Sequence, residues 1–522
     1  MSAVGLHRGV TLSVLARTRT EEDHHEDLGC SIQGPGARRV RQALAPLKAA
    51  ISRLGRQRAH DEARSLVRWI EETPRYRALA DGDRRRSGRR LLRPDVLFPP
   101  AERIRPRVLH LRRDGLGLDV PLTARDWPAV NELFASLAAG ASRAELRAFT
   151  RTPVTGELLG ALREARWLSE HEGPIDVPEV GATFVGHNTV LVSSGTIRVL
   201  VDPYFRGAAA IDLPGYQPLR PRDLGRIDAV AITHTHGDHL HLGSLLELPR
   251  DTRIFVPAIA RESLFSTDCA LRLAQLGFQR VHPLRWGEHA RIGDIVLHAL
   301  PFYGEQPTTG PCVYPDLFNE GNTWLVITPR FKAAFFADAG DDRRGSMRSV
   351  CRRVREAHGP IDVLFCGIRG FSLEPIFFGF TTLEAYLVGV PLPALTTPQR
   401  LMADPAEALT LAELLGACWL VPCADGGAPW YWREGMGPRY PGYPGEPVEG
   451  ASRFDENPDA DPYPERLIDV RRRRGTGPRP LILRPGEAFA WERGRPGVRS
   501  FERFRWPFEP LSRGRNKSQR AR

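Results

Sequence analysis

Along this chain the apolar positions alternate between two periods. From Arg38 to Thr73, residues Val40, Leu44, Leu47, Ile51, Leu54, Leu66, Val67 and Ile70 recur at helical spacing. Trp127 to Leu137 and Arg143 to Leu168 repeat that pattern, the second with a break at Pro153. It is entered through Ser142 with Glu145 three positions on, the signature of a capping box. Before them, Val108 to Leu111 and Leu116 to Val120 predict a short hairpin, while Met1 to about Gly36, mixed in charge, is expected to be partly disordered. The character changes at Pro174-Ile175-Asp176-Val177-Pro178, after which β-rich runs dominate. Ala182 to Val192 and Ile197 to Val201 read as a hairpin, and Ile227 to Ile232 as a short buried strand bounded by Gly225 and Gly237. Further strands are expected at Arg253 to Pro257, Val281 to Leu284, Ile295 to Leu300 and Ala333 to Ala337, with helices from near Leu240 and over Leu264 to Leu276. Strands alternating with helices predict a layered α/β architecture. Pro438 to Pro464 is rich in Pro, Gly and Asp and reads as an extended loop, and Leu481 to Ala488 as a last strand and turn before a polar tail. Three parts follow: a smaller α+β domain over 1–173, a metal domain over 174–430 and a C-terminal extension over 431–522.

Chemistry concentrates directly after the run Ile227 to Ile232, in Thr233-His234-Thr235-His236-Gly237-Asp238-His239. In extended backbone His234 and His236 project the same way, because side chains alternate with period two, so one ion can take both. Asp238 and His239 lie past Gly237, where the chain is free to turn toward a second ion. Imidazole with carboxylate suits zinc, iron or manganese better than calcium or magnesium. Histidines that cluster by accident or cap a helix near Leu240 are the bland alternative, and four potential ligands within six residues weigh against it.

This His-x-His-x-Asp-His loop resembles that of the metallo-β-lactamase superfamily, and the resemblance implies a four-layer αββα sandwich with metals at one rim. Gly186-His187-Asn188-Thr189-Val190, closed by Asp202-Pro203, is similar to the superfamily's first motif. The resemblance makes Asp202 an outer partner that orients metal-binding histidines and leaves His187 between approaching the substrate and a structural role. It also implies that Asp338, in Phe336-Ala337-Asp338-Ala339-Gly340, bridges two ions. The chain departs from the hydrolytic branches at two places. The loop Pro301 to Gly310 holds no histidine, so Glu305 becomes the ligand candidate, a turn-capping Glu305 being the alternative. Leu420-Val421-Pro422-Cys423-Ala424-Asp425 puts Ala424 where the superfamily's last histidine stands, and no histidine occurs after His358. Asp425 is the nearest substitute, an open coordination position the alternative.

Two imidazoles lost and carboxylates gained favour iron, since anionic oxygen donors stabilise higher-valent iron better than neutral imidazole does. The combination resembles the superfamily's diiron β-hydroxylase branch, of the type found in chloramphenicol biosynthesis, over roughly Val177 to Asp425. That implies a non-haem diiron oxygenase with His234, His236 and Glu305 on one iron, Asp238 and His239 on the other and Asp338 between them. Asp238, Glu305 and Asp338 are then the residues closest to catalysis. Dioxygen is the implied co-substrate, an electron donor the implied partner, and a small or carrier-bound molecule the substrate. The alternative is a dinuclear zinc or manganese hydrolase acting on a phosphodiester, lactone or amide through a metal-bridging hydroxide. A third reading is a metal-binding scaffold or nucleic-acid module.

Composition changes this picture little. With 522 residues, 42% hydrophobic and 26% charged, the chain has the make-up of a globular protein of two or three domains. No run approaches the roughly 18 apolar residues of a membrane span, and Arg8, Arg17 and Arg19 interrupt any signal-peptide core, so a cytoplasmic protein is expected. The seven cysteines are odd in number and never spaced as C-x-x-C, which fits reduced thiols. The net charge of +11 invites nucleic acid. Its basic residues, however, are almost all arginine, with Lys48, Lys332 and Lys517 the only lysines, and the densest runs carry no interleaved aromatics. Nucleic acid is therefore disfavoured as a partner. Residues 1–173 hold no metal or nucleophile constellation, and homodimerisation, covering the active site or docking a carrier are their expected roles.

Overall fold

Two sheets carry the apolar runs. The computed structural model describes residues 3–15, 35–86, 88–100, 105–113, 116–205, 219–306, 311–370, 372–380, 383–424 and 464–501. The first sheet has eight strands in the order Val281–Leu284, Arg253–Pro257, Ala229–Ala231, Arg198–Val201, Thr189–Ser194, Val180–Gly186, Glu487–Glu492 and Arg495–Ser500. The second has seven, in the order His289–Ile292, Ile295–Pro301, Asn322–Ile327, Lys332–Phe335, Val363–Gly367, Trp419–Cys423 and Arg479–Pro480. Central strands such as Ala229–Ala231 and Val363–Gly367 are buried along their whole length, which is why they read as unbroken apolar runs. The inner faces meet in one core, where Phe184, Val190 and Val199 of the first sheet face Leu297, Trp324 and Phe335 of the second.

Helices cover both outer faces. Met347–His358 and Pro405–Leu415 bury Val350, Val354, Leu409 and Leu415 against the second sheet. Trp127–Ala139 buries Trp127, Val130, Phe134 and Leu137 in a core shared with Leu191, Leu200, Val230 and Ile254 of the first. The result is the αββα sandwich expected from the sequence. The helix at Arg143–Phe149 begins at the anticipated capping box, with the Ser142 N–H donating to Glu145 at 2.7 Å and the Glu145 N–H to Ser142 Oγ at 3.2 Å.

Within the first 36 residues, expected to be partly disordered, Val4–Leu6 and Thr11–Leu15 are strands, the second paired with Val108–Arg113. Three expectations change. The run Ala182 to Val192, expected as one arm of a hairpin, is itself a hairpin, Val180–Gly186 pairing with Thr189–Ser194. The helix expected over Leu264 to Leu276 is confined to Cys269–Gln275, because Leu264 and Phe265 are drawn into a separate core near the site. The sandwich does not end near residue 430. Glu487–Glu492 pairs with Val180–Gly186 and buries Phe489 and Trp491 in the central core, closing an edge that would otherwise be open. This pairing requires Gly181, at φ 147°, since a Cβ there would lie 2.0 Å from the Phe489 carbonyl oxygen.

The helices Pro35–Leu54, Arg56–Asp61 and Ala63–Glu71 do not pack on either sheet. They form a core with Phe377, Leu383, Tyr386 and Leu387 of the segment 373–402. A fully buried ion pair, Arg89 with Glu71, joins the two: Arg89 Nη1 donates to the Leu387 carbonyl at 2.8 Å and the Val390 carbonyl at 2.5 Å. Among the described residues no helix is long and apolar enough to cross a membrane, and the six described cysteines are free thiols.

Candidate metal centre

The strand Ala229–Ala231 ends in a fixed position. The Ile232 carbonyl accepts Trp324 Nε1–H at 3.0 Å and the Thr233 carbonyl accepts the Asn322 N–H at 2.6 Å. The chain then turns, with the N–H groups of His239 and Leu240 donating to the His236 carbonyl at 3.0 and 2.8 Å. Before the turn, His234 and His236 reach the same acid: His234 Nε2 lies 2.8 Å from Glu305 Oε2, and His236 Nδ1 contacts that same oxygen. Glu305 arrives on the loop after Ile295–Pro301. Its N–H donates to the Leu401 carbonyl at 2.6 Å, and Gly304 before it, at φ 102°, passes so close to Gly340 that a Cβ would sit 2.5 Å from the Gly340 nitrogen.

Asp338 comes from the end of Lys332–Phe335, and its Oδ2 lies 3.1 Å from His239 Nε2. The other ring nitrogen, His239 Nδ1, lies 2.7 Å from Asp202 Oδ2. Asp202 is held in turn by Asn188 Nδ2–H at 2.6 Å, the Thr233 N–H at 2.7 Å and the Thr233 hydroxyl at 2.5 Å. Asp202 therefore fixes the orientation of the His239 ring from its Nδ1 side. Asp238 Oδ2 is 4.0 Å from His239 Nε2 and 3.3 Å from His187 Nε2. Among the described residues seven non-glycine positions have left-handed backbone, and five of them lie here: His187, Asp202, Glu305, Ala337 and Ala424. Each costs of order 1–3 kcal/mol, and such strain persists where the surrounding structure imposes it.

The charges respond to this crowding. Burial would raise the Glu305 carboxyl, yet His236 and then His234 bring it down to about 2. Asp238 is likewise held far below the usual carboxylate range, burial being outweighed by His239 and His187. Burial would depress His239 and His236, but the acids prevail and raise both, Asp338 and Asp238 acting on the first and Glu305 on the second. His234, buried and beside His239, is lowered to about 4 and keeps the neutral form that offers a lone pair.

The ligand atoms fall into three groups, each within 4.8 Å: His234, His236 and Glu305; His234, His239 and Asp338; and His187, Asp238 and His239. His234 Nε2 and Glu305 Oε2 are buried 2.8 Å apart, and neither makes a hydrogen bond. Two buried acceptors left facing one another are what a cation between them would satisfy, so the residues fit a metal centre. Six of the seven ligand candidates, His234, His236, Asp238, His239, Glu305 and Asp338, thus converge. The seventh, Asp425, lies outside the described residues, as does the aromatic run Trp430 to Trp432.

Two neighbours carry no sequence signal of this role. Tyr386, on the short turn Glu384–Gly389, puts its hydroxyl 3.2 Å from His236 Nε2 and stacks on Phe265 at 4.2 Å. Phe302 stacks on His234 with centroids 4.9 Å apart. His187 is the other surprise: it is fully buried and grouped with Asp238 and His239, and the only hint of this was its place in the first motif.

A family profile described as a β-lactamase superfamily domain matches residues 197–423. The region 197–423 has the metallo-β-lactamase fold. The chain is 28% identical over 315 residues to the 4-amino-L-phenylalanyl-[CmlP-peptidyl-carrier-protein] 3-hydroxylase of Streptomyces venezuelae, a match covering 56% of this chain and 52% of the relative. It is 24% identical over 208 residues to an uncharacterized protein of Mycobacterium tuberculosis strain H37Rv, covering 38% of this chain and 50% of that one. The chain spans about half the length of these curated relatives. Among solved structures, CmlA, a diiron β-hydroxylase from Streptomyces venezuelae, superposes with a TM-score of 0.55 at 18% identity, over 92% of this chain and 98% of that one. At this identity the superposition speaks to the fold alone, and it extends over chain outside the matched domain as well.

Proposed function

We propose that this metallo-β-lactamase-fold protein is a dinuclear-metal enzyme, and that it is a non-haem diiron oxygenase hydroxylating a small or carrier-tethered substrate. The observation that carries the proposal is the contact of Glu305 with both His234 and His236, an acid where a hydrolytic site of this fold has a third imidazole. In this reading His234, His236 and Glu305 hold one ion, Asp238 and His239 the other, and Asp338 lies between. Iron in both places would supply Lewis acidity and electrons for dioxygen activation.

The chain's own residues then do four things. Asp202 fixes the His239 ring so that Nε2 faces the centre. Thr233 Oγ1, 3.0 Å from His234 Nδ1, does the same for His234. Phe302, Phe265 and Tyr386 wall the His234–His236 side and exclude water from it. The Tyr386 phenol, raised well above its ordinary value by burial and then by Glu305, stays protonated beside His236.

Hydroxylation consumes one dioxygen, two electrons and two protons and yields water, so an external reductant is the required partner. The carrier-bound class of substrate is carried over from the name of the Streptomyces relative. The test is iron analysis and optical spectroscopy of protein from iron-supplemented culture, reduced without air and then exposed to it. The expected result is about two irons per chain and a visible band that is lost on reduction and regained in air. Tight zinc without iron, with oxygen-independent hydrolysis of a phosphodiester, lactone or amide, would overturn the oxygenase and leave the dinuclear hydrolase.

A further inference from the structure

We infer that His187 is a ligand of the second ion, an inference that rests on the dinuclear reading above. Three observations converge on its ring. First, His239 Nε2 is faced at once by His187 Nε2 at 3.2 Å, Asp338 Oδ2 at 3.1 Å and Asp238 Oδ2 at 4.0 Å, while His239 Nδ1 is already engaged by Asp202. One ring nitrogen cannot serve three partners with a single proton, whereas an ion at their common focus serves all of them. Second, the backbone is bent to deliver this ring. The pairing of Val180–Gly186 with Thr189–Ser194 is irregular between Phe184 and Gly186, and His187 itself sits at φ 54°. Left-handed backbone is unfavourable at a non-glycine residue, and the surrounding strands hold it there.

Third, the opposite strand end offers no imidazole. The Ala424 N–H donates to the His187 carbonyl at 2.8 Å, and Ala424 brings only a methyl group. His187 thus supplies, from the hairpin before the domain match at 197–423, the nitrogen that the end of Trp419–Cys423 does not. The set at the second position becomes His187, Asp238 and His239, with Asp338 shared, and balances His234, His236 and Glu305 at the first.

The test is anaerobic titration of the full-length, metal-stripped chain with Fe(II), comparing wild type with His187→Gly. Glycine accepts φ 54° and leaves a ring-sized space. The expected variant keeps one tightly bound iron and binds the second at least tenfold more weakly, and added imidazole restores it. A merely structural role predicts no imidazole rescue of iron uptake. A variant that binds two irons as tightly as wild type overturns the inference and leaves the dinuclear reading intact. A wild type that takes up neither Fe(II) nor Zn(II) overturns the dinuclear reading itself. Should the variant not fold, an anomalous map of iron-soaked wild-type crystals decides: an ion within about 2.3 Å of His187 Nε2 supports the assignment. One beyond hydrogen-bond range rejects it.

Discussion

Among the described residues imidazoles gather twice; burial lowers His234 in one cluster and His298 in the other, but at the first cluster two further rings are raised against it. At the rim the His234 ring lies 4.0 Å from His239 and 4.9 Å from His236. Near the edge of the second sheet His298 lies 4.5 Å from His358 and 5.1 Å from His289, a spacing almost as tight. His298 and His358 are only partly buried and His289 is exposed, yet His298 falls to about 4 through burial and then its two histidine neighbours, and His358 is lowered by burial and Lys332. At the rim His239 is fully buried and His236 nearly so, and still both are raised. The difference lies in the acids. Among the described residues the ion pairs of Asp202, Asp238, Glu305 and Asp338 all run to histidines. Proximity of rings makes a histidine cluster, and interleaved carboxylates make a place that draws in positive charge.

Removing one acid is the largest blow to that contrast. On the proposed diiron reading, Glu305→Ala removes the anionic ligand of the first position, and iron content there and oxygen-dependent turnover are expected to fall more than about 100-fold, since even outer partners of a ligand are worth about 10–100-fold. Metal analysis and oxygen uptake measure both, with His298→Ala as the control that changes neither. Full iron occupancy in Glu305→Ala would erase the distinction between the clusters.

Asp202→Asn comes next. It keeps the size of the side chain and removes the anion from His239 Nδ1, which lies 2.7 Å away. Iron affinity at the second position should drop by about 10–100-fold, read by competition with a chelator. Tyr386→Phe is milder. It keeps the stack on Phe265 and removes the hydroxyl from His236, so a stability loss of about 0.5–1.5 kcal/mol in denaturant melts is expected, with a few-fold change in turnover. An unchanged melt would mean that the hydroxyl contributes nothing to the rim.

The contrast also explains what the sequence reveals and what it hides. The His234 to His239 loop is local, and a period of two along one strand end already points its rings together. Glu305 and Asp338 become legible only through the superfamily resemblance, which marks the loop and the strand end where each stands. His187 and Tyr386 are not, since each reaches the rim through a bend that no periodicity marks: a left-handed residue in one case and an isolated short turn in the other. Fold prediction divides the same way. The buried strands announce themselves as apolar runs. The hairpin Glu487–Glu492 with Arg495–Ser500 hides in a charged tail, because only Phe489 and Trp491 face the core in large side chains and its pairing partner lies some 300 residues earlier.

The smallest effect belongs to the edge cluster. With its folded value at about 4 against roughly 6.5 when unfolded, His298 binds fewer protons in the folded chain between those values. Above pH 6.5 both states are neutral there and the group contributes nothing. As pH falls through the window from 6.5 to 4 the unfolded chain takes up the proton first, so stability is lost. The partial exposure of the ring limits this to about 1 kcal/mol or less after solvent screening. His298→Gln should therefore flatten the decline in melting temperature between pH 6.5 and pH 4 while leaving the value at pH 8 nearly unchanged. A variant as acid-sensitive as wild type would show that the edge imidazoles are not strained by one another, and that the opposition between the clusters rests on the rim alone.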